Sequence, residues 1–105
     1  MAKHKEKTIV VFRRWNSGFG IIALFPEHPS DYQGFFCDSY EHIGQHGGAD
    51  YHGIIQASTP ATRQEYADLK QELTRLGYRL EIRTRTSPEL HQRRIATARR
   101  YLLQP

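Results

Sequence analysis

Apolar and polar positions recur in more than one period along this chain, and each period predicts a different element. TIVVFRR at 8–14 is rich in β-branched residues and reads as a strand. WNSGFG at 15–20 is turn chemistry, because Asn, Ser and Gly tolerate tight or left-handed backbone. GIIALF at 20–25 follows as a second strand, apolar on both faces and therefore central in a sheet. PEHPSDYQG at 26–34 carries two prolines and reads as a loop. FFCDSY at 35–40 forms a third, shorter strand that runs into a polar segment, and GIIQA at 53–57 reads as a brief strand extension.

The period then changes. Tyr66, Leu69, Leu73 and Leu76 recur at spacings of three and four, one stripe of a helix over 60–76. Thr59 is the expected N-cap, with Pro60 at the first helical position, where a missing N–H costs nothing. Gly77 supplies the left-handed residue after the helix, and Tyr78 folds back on its last turn. YRLEIRTR at 78–85 alternates as a strand, with Tyr78, Leu80 and Ile82 inward and Arg79, Glu81 and Arg83 outward. Ser87 and Pro88 open a second helix that runs to about Leu103. Its face of Leu90, Ile95, Ala98, Tyr101 and Leu102 is interrupted by Arg94, which predicts weak docking or pairing with another chain, a homo-oligomer through this helix. The order is β-β-β-α-β-α. It predicts an α+β fold, a small antiparallel or mixed sheet of three to four strands with one helix on one face.

At 105 residues, with 38% hydrophobic and 25% charged positions, the chain has material for one core. The reading divides it into a basic tail at 1–7, an α+β domain at 8–85 and an Arg-rich helix at 86–105. No apolar run is long enough for a membrane span, and no apolar segment follows the basic start as in a signal peptide. A single cysteine forms no internal disulfide and suits a reducing compartment, so a cytoplasmic location is expected. Charge is more informative as a distribution than as the net +4. Residues 15–62 hold no Lys or Arg, whereas seven arginines crowd residues 79–100. The asymmetry fits an acidic functional face beside a basic binding surface, or simply a solvated surface with a basic tail.

VVFRRW with GIIALFP, CDSYEHIGQHGGADY and EYADLKQELTRLGYRLEI resembles a small family of bacterial, plasmid and phage proteins with no established activity. The shared pattern falls on Ile22 to Pro26, Ser39 to Gly47 and Glu65 to Leu69. The resemblance implies an accessory protein associated with mobile elements and supplies no mechanism. It covers residues 8–83 and omits the Arg-rich helix.

The chemistry-bearing segment is 37–53, which holds the only cysteine with three histidines, three acids and four glycines. As a metal site, Cys37, His42, His46 and His52 offer sulfur and imidazole, but at irregular spacing and with no Cys-x-x-Cys or His-Glu-x-x-His motif. No metal or cofactor is therefore expected. As a catalytic site, Cys37 could be a nucleophile with His42 or His46 as base, although a cysteine alternating on a short strand is more often a small buried hydrophobe. A His-dependent or metal-dependent hydrolase is the resulting enzyme reading. The binding reading uses Ser39, Tyr40, His42, Gln45, His46, Tyr51 and His52 for an anionic small ligand, a nucleotide or a protein partner. Glycines there let a ligand approach the backbone closely. Against it stands a structural role, in which Tyr40, His42 and His46 brace an irregular loop. A nucleic-acid reading uses Arg79, Arg83, Arg85, Arg93, Arg99 and Arg100 to neutralise phosphates, with no aromatic platform evident beside them. Binding through 37–53 leads this set.

Overall fold

The computed structural model describes residues 7–18, 20–42 and 45–103. The expected 1–7 tail, apart from Lys7, lies outside the described residues, as do the side chains of Gln45 and Leu102. The fold is α+β, as the residue pattern predicts, but the sheet has six strands where three to four were expected. Strands β1 (Thr8–Trp15), β2 (Ile21–Pro29), β3 (Cys37–Glu41) and β4 (Gln45–Ala49) form an antiparallel meander. Helix α1 (Tyr51–Gln56), β5 (Ser58–Pro60), α2 (Arg63–Arg75), β6 (Leu80–Arg83) and α3 (Pro88–Leu103) follow.

The free edge of β1 is shared lengthwise. β5 pairs antiparallel with Arg13–Trp15, and β6 pairs parallel with Thr8–Val11. The sheet is therefore mixed, and β1 and β2 are its buried centre. Alternation along β1 sends Val10 and Phe12 to one face with Ala23, Phe25, Tyr40, Leu69 and Leu73. Val11 goes to the other with Ile22, Leu24, Cys37, Ala49 and Tyr51. Helix α2 covers the first face; α1 and α3 cover the second.

The expected helix over 60–76 begins later. Thr59 and Pro60 belong to β5, and the N-cap is Thr62, whose Oγ1 accepts from the Glu65 N–H while Glu65 accepts from the Thr62 N–H. This reciprocal box satisfies two end donors, which the Thr59–Pro60 start could not do once Pro60 had paired with Arg13. The C-terminus follows expectation. Gly77 has φ +108°, its N–H reaches the Thr74 carbonyl, and the Tyr78 N–H reaches that of Leu73, closing a Schellman motif.

Residues 53–56 are helical, with Ala57 as the C-cap, rather than a strand extension, which is a correction to the β-branched reading of Ile54 and Ile55. Both side chains pack on the second core face, where tertiary burial outweighs local preference. The Arg13 guanidinium fixes the end of α1, donating to the carbonyls of Ile55 and Ser58 and to Ser58 Oγ.

Helix α3 is not a loosely held appendage. Leu90, Arg94 and Ala98 are buried, and the helix packs along β2. Arg94 was expected to interrupt the docking face. Instead its Nε donates to the Gly34 carbonyl at 2.8 Å and its Nη1 to the Pro26 carbonyl at 2.7 Å. The buried charge is solvated by backbone oxygens and ties α3 to β2 and to the loop after it.

Candidate functional site

The segment 37–53 is a hairpin followed by a short helix, and its alternation divides the candidate residues between two faces. Cys37 and Tyr51 belong to the core under α1 and α3, whereas Tyr40 belongs to the core under α2. On the α2 side, Tyr40 Oη donates to Glu72, and His42 Nδ1 lies 2.5 Å from the other Glu72 carboxylate oxygen. His46, opposite Tyr40 across the β3–β4 ladder, meets the Tyr40 ring edge-on at 4.6 Å. Glu72 is thereby the hub that joins the hairpin to α2. Sequence reasoning missed it, although its position three residues after Leu69, on the side of α2 that turns to the sheet, was a usable signal.

On the other side, Tyr51, His52 and His91 make a separate aromatic group. His91 lies 5.1 Å from Tyr51 and 4.9 Å from His52 between ring centroids. Tyr51 Oη accepts the Thr86 N–H, which anchors the start of α3 to α1. Both His91 nitrogens are buried without a hydrogen-bond partner among the described residues. Burial first, then the nearby Arg94 charge and His52, push its pKa down to about 4, so His91 is a neutral ring at neutral pH.

His42, His46 and His52 therefore do not converge, and no cluster of metal-binding side chains occurs among the described residues. The cysteine is likewise separated from the imidazoles of His42 and His46 by the sheet. Cys37 is fully buried, and desolvation raises its thiol to about 11, so it is a core residue rather than a thiolate. Ser39 Oγ donates to the Gly47 carbonyl across the hairpin. Of the described side chains in the expected binding set, His42, His46 and His52 are the exposed ones. His42, 69% exposed and held by Glu72, is an oriented imidazole at the edge of a small hollow that Glu65 and Asp68 also line.

A different surface gathers the charge. At the end of the sheet where β1 begins and β2 ends, an open groove of about 950 Å³ runs between the α2–β6 turn and α3. Lys7, Arg79, Arg93 and Arg100 line it, with His28 from β2. Its two acids are Glu27, which accepts from Arg93 at 2.9 Å, and Asp38. Desolvation pushes the Asp38 carboxyl up from its ordinary range, with His28 and His46 acting in the opposite sense. Of the six arginines expected to meet phosphate, the groove unites Arg79, Arg93 and Arg100. Arg83 instead pairs with Glu81 at 2.7 Å, Arg99 lies in a neighbouring hollow, and Arg85 is exposed elsewhere.

No helix among the described residues is long and apolar enough to cross a membrane. No protein-family model, curated protein or solved structure matches this chain, so the resemblance on Ile22 to Pro26, Ser39 to Gly47 and Glu65 to Leu69 rests on those residues alone.

Proposed function

We propose that this protein is a binding module for an anionic ligand, and that the ligand is taken in the groove between the α2–β6 turn and α3 rather than on the 37–53 hairpin. The observation that carries the reading is the meeting of Lys7, Arg79, Arg93 and Arg100 around one open groove, although they come from separate parts of the chain. Grouped cations with low-dielectric walls concentrate an anion more strongly than the same charges dispersed. The hairpin offers less. Tyr40 and Ser39 are already hydrogen-bonded within the fold, and Cys37 is sealed in the core.

Inorganic tripolyphosphate tests this. Its binding to the full chain should fall roughly ten-fold for a Lys7→Ala/Arg100→Ala pair, with one 1.4 kcal/mol step per decade. A His46→Ala/His52→Ala pair should leave it unchanged. If the histidine pair weakens binding and the cation pair does not, the anion sits on the hairpin and this reading fails.

A further inference from the structure

The groove does not end at its cations. Tyr101 lines both the groove and an adjoining hollow that it shares with Tyr32, and Tyr32 lines a third hollow with Phe35 and Arg99. A continuous track thus runs from the groove around the outer side of α3, carrying rings as well as charge. Those rings are open to solvent: Tyr32 is 78% exposed, Tyr101 66% and Phe35 62%. Phe36 beside them is exposed too, and among the described residues the remaining exposed large hydrophobic is Leu76, at the end of α2. Among the described residues, four of the five exposed large hydrophobics are thus aromatic, and Tyr32, Phe35 and Tyr101 line adjoining hollows. No such platform was evident in the sequence, because Tyr32 and Phe35 are far from Tyr101 along the chain.

Resting on the proposed anion-binding groove, we infer that its ligand is a single-stranded nucleic acid, whose phosphates lie along the groove cations while bases stack on Tyr101, Tyr32 and Phe35. Arginines alternating with open rings are what such a strand requires, since every base has a π face and every linkage a negative charge. A duplex fits poorly. Its bases are already stacked on one another and offer the open rings of Tyr101, Tyr32 and Phe35 nothing to stack on. Open aromatic rings and arginines also mark protein interfaces; what favours a strand over a protein here is the continuity of the rings with the cations of the groove. Acids on the track are partly engaged: Glu27 by Arg93, and Asp31, whose Oδ1 accepts the Phe36 N–H at 3.0 Å.

The test is fluorescence anisotropy on the full chain with a labelled oligothymidylate of about twelve nucleotides, a duplex of equal length and inorganic polyphosphate as competitor. The single strand should bind at least ten-fold tighter than the duplex, with log K falling by about 0.7 per decade of salt for each phosphate contacted. A Tyr32→Ala/Tyr101→Ala pair should lose roughly ten-fold or more on the single strand and leave polyphosphate unchanged, while the corresponding Phe pair retains affinity. Equal binding of single strand and polyphosphate, indifferent to the tyrosine pair, would overturn the inference and leave the groove reading standing. Loss of every anion would remove both. If the tyrosine pair abolishes self-association in sedimentation velocity but not oligonucleotide binding, the rings serve a second copy of the chain and the inference fails.

Discussion

The carbonyl of Gly34 accepts the Arg94 Nε–H at 2.8 Å, at a point where loop and helix backbones nearly touch. Gly34 has φ +79°, and a Cβ there would stand 2.8 Å from the Ile95 Cα. Glycine thus lets the loop sit on α3, and arginine fastens it from the helix side. Arg94→Ala should destabilise the fold by roughly 3 kcal/mol, because two buried carbonyls lose their donor. Gly34→Ala should cost about 2 kcal/mol, through backbone strain and displacement of α3 together. Urea unfolding midpoints at constant m-value would measure both; values within error of the parent would show that α3 is held by its apolar contacts alone.

The α2 N-terminus gives a sharper contrast. Thr62→Ala should cost about 1 kcal/mol through loss of the capping box. Thr59→Ala, on β5 with its hydroxyl donating to Asn16 at the surface, should cost distinctly less. Leu73→Ala, at the fully buried position of the same helix, should cost roughly 2–5 kcal/mol. A reversed order of the two threonines in thermal denaturation would mean that the helix starts at residue 60 after all.

Tyr40 and His42 share Glu72, yet they should contribute unequally. Tyr40→Phe leaves a half-buried carboxylate without one of its donors and should cost about 1.5 kcal/mol. His42→Ala removes a largely exposed partner and should cost under about 0.5 kcal/mol. A double-mutant cycle with Glu72→Gln, read by chemical denaturation, would reveal the coupling of each.

Acid should act on His91. Its folded pKa of about 4 lies below the ordinary 6.5, so the unfolded chain takes up the proton first as pH falls. The stability this group supports is complete above about pH 6.5 and is lost progressively toward pH 4. Arg94, His52 and Tyr51 face it from α3 and α1, and none can neutralise an imidazolium there. His91→Leu should flatten the parent's decline between these pH values, measured as the difference in unfolding midpoint. Asp38 titrates in both proteins and cancels from that difference. An unchanged slope would place the acid sensitivity elsewhere.

Cys37 offers a direct check on the core. In the native chain its thiol should resist a disulfide-exchange reagent, since it is buried and raised to about 11. Addition of urea should release one equivalent per chain at the rate of unfolding. Immediate native-state modification would put the thiol at a surface and reopen the nucleophile reading.

What the sequence determined by itself was every element whose residues carry their own instructions. The β-branched run of β1, the apolar run of β2, the three-and-four spacing of α2 and the left-handed Gly77 each act within a few neighbours, and each appears close to where it was expected. Tertiary structure alone decided β4, whose Gln-His-Gly-Gly-Ala has little strand preference and is held by its ladder to β3 and by Ser39. It also turned Ile54 and Ile55 into a helix and moved the α2 cap from Thr59 to Thr62. The site divides along the same line. Arginine density near the C-terminus is visible in one dimension, but which three arginines face one groove with Lys7, and which rings stand beside them, depends on chain crossings dozens of residues apart. The histidines show the converse. They are near one another in sequence, yet His42 and His46 stand on the α2 side of the hairpin around Tyr40 and Glu72, while His52 is carried by α1 to the other face beside Tyr51 and His91.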